Sequence, residues 1–367
     1  MSKQIEYNII KLNSERVWRT YLGGAILETW QGKRTPNDGA FPEEWVASTV
    51  KARNPGREAL VNEGLSKISI NGSPEVLLKD IIEADPVGYL GEQHYKKYGY
   101  NMSMLVKLID SLNRLTIQVH PDKDFAKTVF SSDYGKTEAW YILGGRVIHG
   151  EDPYVLLGFK PGMTREKWKS LFDAQDIHGM FNSLHKIKVK QGDVYLIQGG
   201  VPHAIGSGCF LIETQEPTDY TIRVEKVTPE GMTLPDDLCH QGVGFEKMFD
   251  CFHYDSYSQD ETLANWQIAP KLLFENNLAQ EWALIDETST KLFQIRKLIV
   301  NGTYKKETEG SYSILIAIKG KGYIEYNQSK MKINQGDMLF IPATIAYLSF
   351  ESEESNDLEI ILCLPPR

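Results

Sequence analysis

The chain has 367 residues, with 49 Asp and Glu against 40 Lys and Arg, for a net charge of -9. A composition of 41% hydrophobic and 24% charged residues is that of an ordinary globular protein and excludes a disordered chain. The acidic balance disfavours nucleic acid as a partner, and an anionic small substrate would need a local basic pocket. Cys209, Cys239, Cys251 and Cys363 include no CxxC spacing, which excludes a cysteine zinc site and a redox pair. No apolar run reaches the ~18 residues of a membrane span. MSKQIEYNII lacks the basic-then-apolar pattern of a signal peptide. The expectation is a cytoplasmic protein in a reducing compartment, with no membrane partner.

In chain order, glycine and proline punctuate 32–42 and 53–57, which read as loops. EVLLKDIIEAD at 75–85 has helical apolar spacing and is predicted to end at Pro86. LVKLID at 105–110 fits either period. LTIQVH at 115–120 and TEAWYIL at 137–143 read as strands. MTREKWKSLFDAQD at 163–176 reads as a helix capped by Thr164, with Trp168, Leu171 and Phe172 on one face. KIKVKQGDVYLI at 186–197 and FLIETQ at 210–215 are strand-rich, with GG at 144–145 and 199–200 as turns. Residues 231–285 read as polar, helix-prone and poor in strands. Strands return from about 290 to the end.

An internal repeat organises this list. KVKQGDVYLI at 188–197 and KINQGDMLFI at 332–341 are each a strand, a Gln-Gly-Asp turn and a strand. A strand and a glycine turn precede both. The pattern resembles the cupin jelly roll, present twice. The expected fold is mainly β: two cupin (jelly-roll β-barrel) units with an added helical segment. The expected division is 1–230 as an N-terminal cupin with helical insertions, 231–285 as a helical linker and 286–367 as a C-terminal cupin. The copies differ where it matters. The first leads into GGVPHAIG with His203, the second into PATIAYLS with Tyr347, and no histidine follows His253. A metal is therefore expected in the first unit alone.

Strand alternation puts Thr116, Gln118 and His120 on one face, and Lys136, Glu138 and Trp140 on one face. Singly, such residues are ordinary hydrogen-bonded or ion-paired groups. Together, an antiparallel barrel can bring Gln118, His120, Glu138 and His203 to one interior point. Two imidazoles, a carboxylate and an amide oxygen suit zinc with open positions, and the same ligand types serve Mn, Co or Fe.

QVHPD, GKTEAWYI, GDVYLIQGGVPHAI and ETQEPTDYTIR, in that order, resemble the type I phosphomannose isomerases. These are zinc-dependent cupin enzymes that interconvert mannose 6-phosphate and fructose 6-phosphate. The resemblance spans about residues 15–225, and the C-terminal cupin agrees in pattern. It implies Gln118, His120, Glu138 and His203 as ligands of one Zn(2+) per chain. It implies Glu213, Asp219 and Arg223 as the family's run after the last histidine, and Lys136 as the lysine two residues before the ligand glutamate. It implies Lys107 as the upstream lysine, at the phosphate end of the substrate. Lys136, Glu213, Asp219 and Arg223 are then candidate catalytic residues, and Lys107, Lys136 and Arg223 candidate substrate contacts. Asp219 is expected to orient Arg223.

Some 40 residues separate Glu138 from the 186–197 hairpin, as in a short bacterial form. The family's tryptophan-glycine-glycine appears as Tyr21-Leu22-Gly23-Gly24. The chemistry expected is isomerisation through an enediol, with Glu213 or Lys136 as base. A metal-dependent cupin oxygenase would use similar ligands, and a non-enzymatic sugar-binding cupin would keep the pocket without the metal.

Overall fold

The structure is a computed structural model and describes residues 7–69, 74–353 and 357–367. Alternating strand sequences fold into two antiparallel barrels, each made of two facing sheets. In the first barrel one sheet runs in the order Val194–Ile197, Glu138–Gly145, Cys209–Gln215, Leu105–Asp110, Glu43–Val46, Arg16–Val17. Its facing sheet runs Leu184–Lys188, Tyr154–Phe159, His203–Ile205, Gln118–Val119, Ile222–Arg223.

The second barrel repeats the scheme strand for strand. Met338–Ile341, Ser313–Lys319, Leu358–Leu364 and Gln294–Val300 adjoin in the order of their first-barrel counterparts. Ser329–Asn334, Lys321–Tyr326, Tyr347–Ser352 and Thr303–Glu307 do the same in the facing sheet. The repeated Gln-Gly-Asp turns occupy equivalent corners. The register also shows what the copies do not share. Glu138 lies opposite Ile197, and Ser313 opposite the matching Ile341. Gln118 lies opposite His203, and Glu307 opposite Tyr347, which is 62% exposed.

The two large sheets pack face to face. Val106, Leu108, Tyr141, Leu196 and Ile212 meet Ile295, Ile316, Phe340 and Ile361 in one buried cluster. Leu105–Asp110, ambiguous in sequence, is a strand because all six residues are buried between layers, where no helical stripe is needed. The Arg165–Asp173 helix is capped by Thr164, which accepts from Lys167 N–H, and buries Trp168 and Phe172 as its spacing predicts.

Four expectations are corrected. Pro86 does not merely end the Leu78–Ala84 helix. It starts the next, Pro86–Leu90, with Asp85 accepting from Gly88 N–H, because proline at the first helical position needs no donor. The strand within 115–120 keeps only Gln118–Val119, since the Ile117 N–H is taken by the Glu225 carboxylate. Gly144 and Gly145 extend the Glu138–Gly145 strand past a bulge opposite Phe210 and Leu211 and do not turn the chain there. The 231–285 segment holds short helices such as Asp236–His240 and Gln259–Trp266, yet ends in the strands Lys271–Glu275 and Ala279–Ile285. Those two strands join the second barrel's large sheet, as does Ile10–Lys11 from the chain start, which pairs with Met338–Ile341. The second barrel's large sheet therefore begins before residue 286 and takes a strand from the chain start. The four cysteines are free and buried, and no helix is long and apolar enough to cross a membrane.

Candidate active site and metal centre

The first barrel's strands converge on His120, Glu138 and His203, all buried. One ligand atom from each lies within 4.8 Å of the others, the one such group among the described residues. His120 donates Nδ1–H to the Tyr220 carbonyl at 2.8 Å, and His203 does so to Val201 at 2.9 Å. Both Nε2 lone pairs therefore point at the shared centre, the arrangement a metal-ligating imidazole needs. The Gln118 amide lies 3.4 Å from His120 Nε2 and 3.3 Å from His203 Nε2. Its inward atom follows its partner: lone pairs select N–H, and a cation selects the oxygen.

Burial, and next the Lys136 ammonium, push the His120 pKa down to about 3. Burial also lowers that of His203. Both imidazoles are thus neutral, as ligands must be. Burial opposes the Glu138 charge, but Lys136 holds the carboxylate well below the usual range. The Glu138 Oε1 atom is buried without a hydrogen-bond partner, 3.3 Å from His203 Nε2. An anionic oxygen facing an imidazole lone pair in a buried site calls for a cation between them. The residues present fit a bound metal on that ground. Lys136 meets part of the demand, with Nζ 2.7 Å from Glu138 Oε2 and 2.6 Å from His120 Nε2.

Beside this centre opens a narrow, polar cleft. It is lined by Arg19, Lys107, Gln118, Lys136, Glu213 and Arg223, with Thr and Tyr side chains between them. Sheet register sets most of its contacts. Glu213 lies opposite Lys107 on one side and Trp140 on the other. Accordingly Lys107 Nζ donates to Glu213 Oε1 at 2.9 Å, and the Trp140 indole N–H donates to Oε2 at 3.2 Å. Arg223 lies opposite Gln118.

Asp219 does not orient Arg223. Its carboxylate is taken by Arg19, at 3.1 and 3.3 Å, and by the Arg53 N–H at 2.9 Å. Arg223 instead donates to the Thr221 and Leu238 carbonyls, at 3.0 and 3.2 Å. It is the cleft-lining cation with no ion pair among the described residues.

The fold gathers all nine residues singled out from sequence: His120, Glu138 and His203 meet at one point and the other six line the cleft, but the contacts that support them were missed. Arg19 bridges Asp219 and Glu43, with Nε 2.9 Å from Glu43 Oε2. Glu43 also accepts from the Tyr21 hydroxyl and the Trp45 indole, each at 2.7 Å. The alternation of Glu43 and Trp45 in EEWV was a signal for one inward face. Nothing local marked Arg19.

Two stretches match family descriptions: residues 43–139 match "Phosphomannose isomerase type I, catalytic domain", and 287–355 match "Mannose-6-phosphate isomerase, cupin domain". A Bacillus subtilis protein named "Probable mannose-6-phosphate isomerase GmuF" is 38% identical over 251 residues, 68% of this chain and 71% of that one. The chain belongs to the type I phosphomannose isomerase family. The Streptococcus mutans mannose-6-phosphate isomerase is 26% identical over 302 residues, 78% of this chain and 83% of its own. A crystal structure of the Bacillus subtilis mannose 6-phosphate isomerase shares the fold at TM-score 0.71 and 20% identity, covering 97% of this chain and 99% of that one. Membership of the phosphomannose isomerase family makes the protein an aldose–ketose isomerase and gives its two barrels their cupin assignment.

Proposed function

We propose that this protein interconverts mannose 6-phosphate and fructose 6-phosphate through an enediol, with one zinc ion held by Gln118, His120, Glu138 and His203. The observation that carries the reading is the orphaned Glu138 oxygen among inward imidazole lone pairs, at the end of a cleft with one uncompensated cation. Bound zinc would supply Lewis-acid polarisation of the sugar oxygens. Arg223 supplies the fixed charge for the phosphate or for negative charge developing on the sugar. With Nη1 held by the two carbonyls and no carboxylate on the group, Nη2 is left for substrate.

Lys136 and Glu213 are the two groups able to carry the proton between C1 and C2. Position favours Lys136. Its amine and a zinc ion cannot both use the His120 Nε2 lone pair, so a loaded site leaves the amine to the cleft that it lines. Glu213 has both oxygens occupied by Lys107 and Trp140, and acts as the anchor that holds Lys107 at the cleft wall. Asp219 acts through Arg19, fixing the cleft floor. Four buried free thiols fit a reducing, cytoplasmic setting.

The test is isomerisation of mannose 6-phosphate with and without chelator, with zinc added back. Loss on chelation and recovery with zinc are expected. Turnover that survives full metal removal would overturn the metal reading. Iron in place of zinc, together with oxygen consumption, would favour the oxygenase alternative.

A further inference from the structure

Isomerising a phosphosugar sets two anionic demands: the phosphate, with a charge of about -1.5 to -2 at neutral pH, and the charge that develops between C1 and C2. The cations lining the cleft are Arg19, Lys107, Lys136 and Arg223. Arg19 is held by Glu43 and Asp219, Lys107 by Glu213 and Lys136 by Glu138. Arg223 alone is left, and one free cation does not serve both ends of such a substrate. A second stands at the rim.

Five arginines among the described residues lie over aromatic rings. Arg19, Arg57, Arg114 and Arg165 are each tied to a carboxylate as well. Arg53 is not. Its half-buried guanidinium has neither an ion pair nor a hydrogen bond among the described residues, and lies 4.5 Å from the centre of the Tyr220 ring. Tyr220 in turn stacks on Phe130, with centres 4.4 Å apart and planes 7° from parallel. Stacking fixes the plane of a guanidinium and uses none of its N–H donors, which stay available as a fork that matches phosphate oxygens. Two contacts set the rim position. The Arg53 N–H donates to Asp219 Oδ2 at 2.9 Å, and Tyr220 stands between Asp219 and Thr221, both of which line the cleft. Arg53 therefore sits at the start of the 219–223 segment that ends in Arg223.

We propose that Arg53 binds the substrate's phosphate at the rim of the cleft and leaves Arg223 to the charge that develops between C1 and C2. This rests on the isomerase reading above and divides the two roles which that reading gave to Arg223. A contact to the phosphate is the same in the substrate and in the transition state, so Arg53 acts on KM and Arg223 on kcat.

Steady-state kinetics on mannose 6-phosphate, beside calorimetric titration with inorganic phosphate, tests this. Arg53→Met should raise KM about tenfold with kcat within about twofold, and should weaken inorganic-phosphate binding by a similar factor. Arg53→Lys keeps the charge without the planar fork and should recover part of both losses. Metal content and melting temperature should match wild type in both variants. Were Arg53 only a brace for Tyr220, whose carbonyl holds His120, its loss would lower kcat and metal content and leave phosphate binding unchanged. That result would overturn the proposal, and so would an unchanged KM. Phosphate binding is read without turnover. A wild type that binds phosphate through Arg53 yet does not isomerise mannose 6-phosphate would therefore refute the isomerase reading and leave the phosphate site standing.

Discussion

Replacing Arg223 with Met should separate catalysis from stability. Burial pushes this guanidinium from 12.5 down to about 10. At 1.36 kcal/mol per tenfold, the folded site disfavours the charge by roughly 3 kcal/mol. That cost is present at neutral pH, where Arg223 is charged in the folded and unfolded chain alike. The two carbonyl bonds to Thr221 and Leu238 offset it, at about 1.5 kcal/mol each for a charged donor. The balance is near zero, so Arg223→Met should melt within about 3 °C of wild type. Losing a preorganised charge at a developing anion costs on the order of 3 kcal/mol, or roughly a hundredfold in kcat/KM.

Arg114 is the control. Its two outer nitrogens grip Glu225 at 2.6 and 2.9 Å, deep in the same barrel and outside the cleft. Arg114→Met strands a buried carboxylate, at a cost of about 3 to 5 kcal/mol, and should lower the melting temperature by on the order of 10 °C. The kcat of whatever folds should be nearly intact. Steady-state kinetics beside calorimetry on both variants measures all four numbers. An Arg223→Met variant that melts like Arg114→Met while turning over normally would refute the reasoning.

Metal analysis should find one zinc per chain, and His203→Ala should lose it while staying folded, because Ser313 and Tyr347 stand where the second barrel would need Glu138 and His203. Two metals per chain, or wild-type content in His203→Ala, would sink the assignment. Burial works to raise the Asp219 pKa, but Arg19 and then Lys107 hold it well below the ordinary carboxylate range. Its contribution to stability is therefore complete above about pH 4 and is lost as pH falls further. Melting curves from neutral to acid pH should fall more steeply below that point for wild type than for Asp219→Asn, and parallel curves would show that the pair adds nothing. Gly23→Ala would place a Cβ 1.8 Å from the Asp110 carbonyl oxygen, so urea melts should show a loss of about 3 kcal/mol or more. An unchanged midpoint would mean that the backbones do not approach so closely.

Much of this protein was legible in one dimension. Alternation marked the strands of both barrels, because a sheet buried on one face must alternate. The repeated Gln-Gly-Asp hairpins revealed the duplication, and the exchange of His203 for Tyr347 showed which copy could hold a metal. Gln118 and His120 were readable as neighbours because two residues along a strand return to the same face. Long-range pairing stayed hidden. Arg19 meets Asp219 across 200 positions, and no local pattern encodes such a partner. Asp219 and Arg223, four residues apart, looked like a pair, yet the fold gives the carboxylate to Arg19 and leaves Arg223 to two backbone carbonyls. The Lys271–Glu275 and Ala279–Ile285 strands were missed because their apolar residues belong partly to an exposed edge, which lacks the in–out contrast that periodicity requires. Sequence fixes which residue types can do chemistry and which face each strand shows. Only the tertiary structure decides which charges cancel, and so which one is left without an ion pair in the cleft.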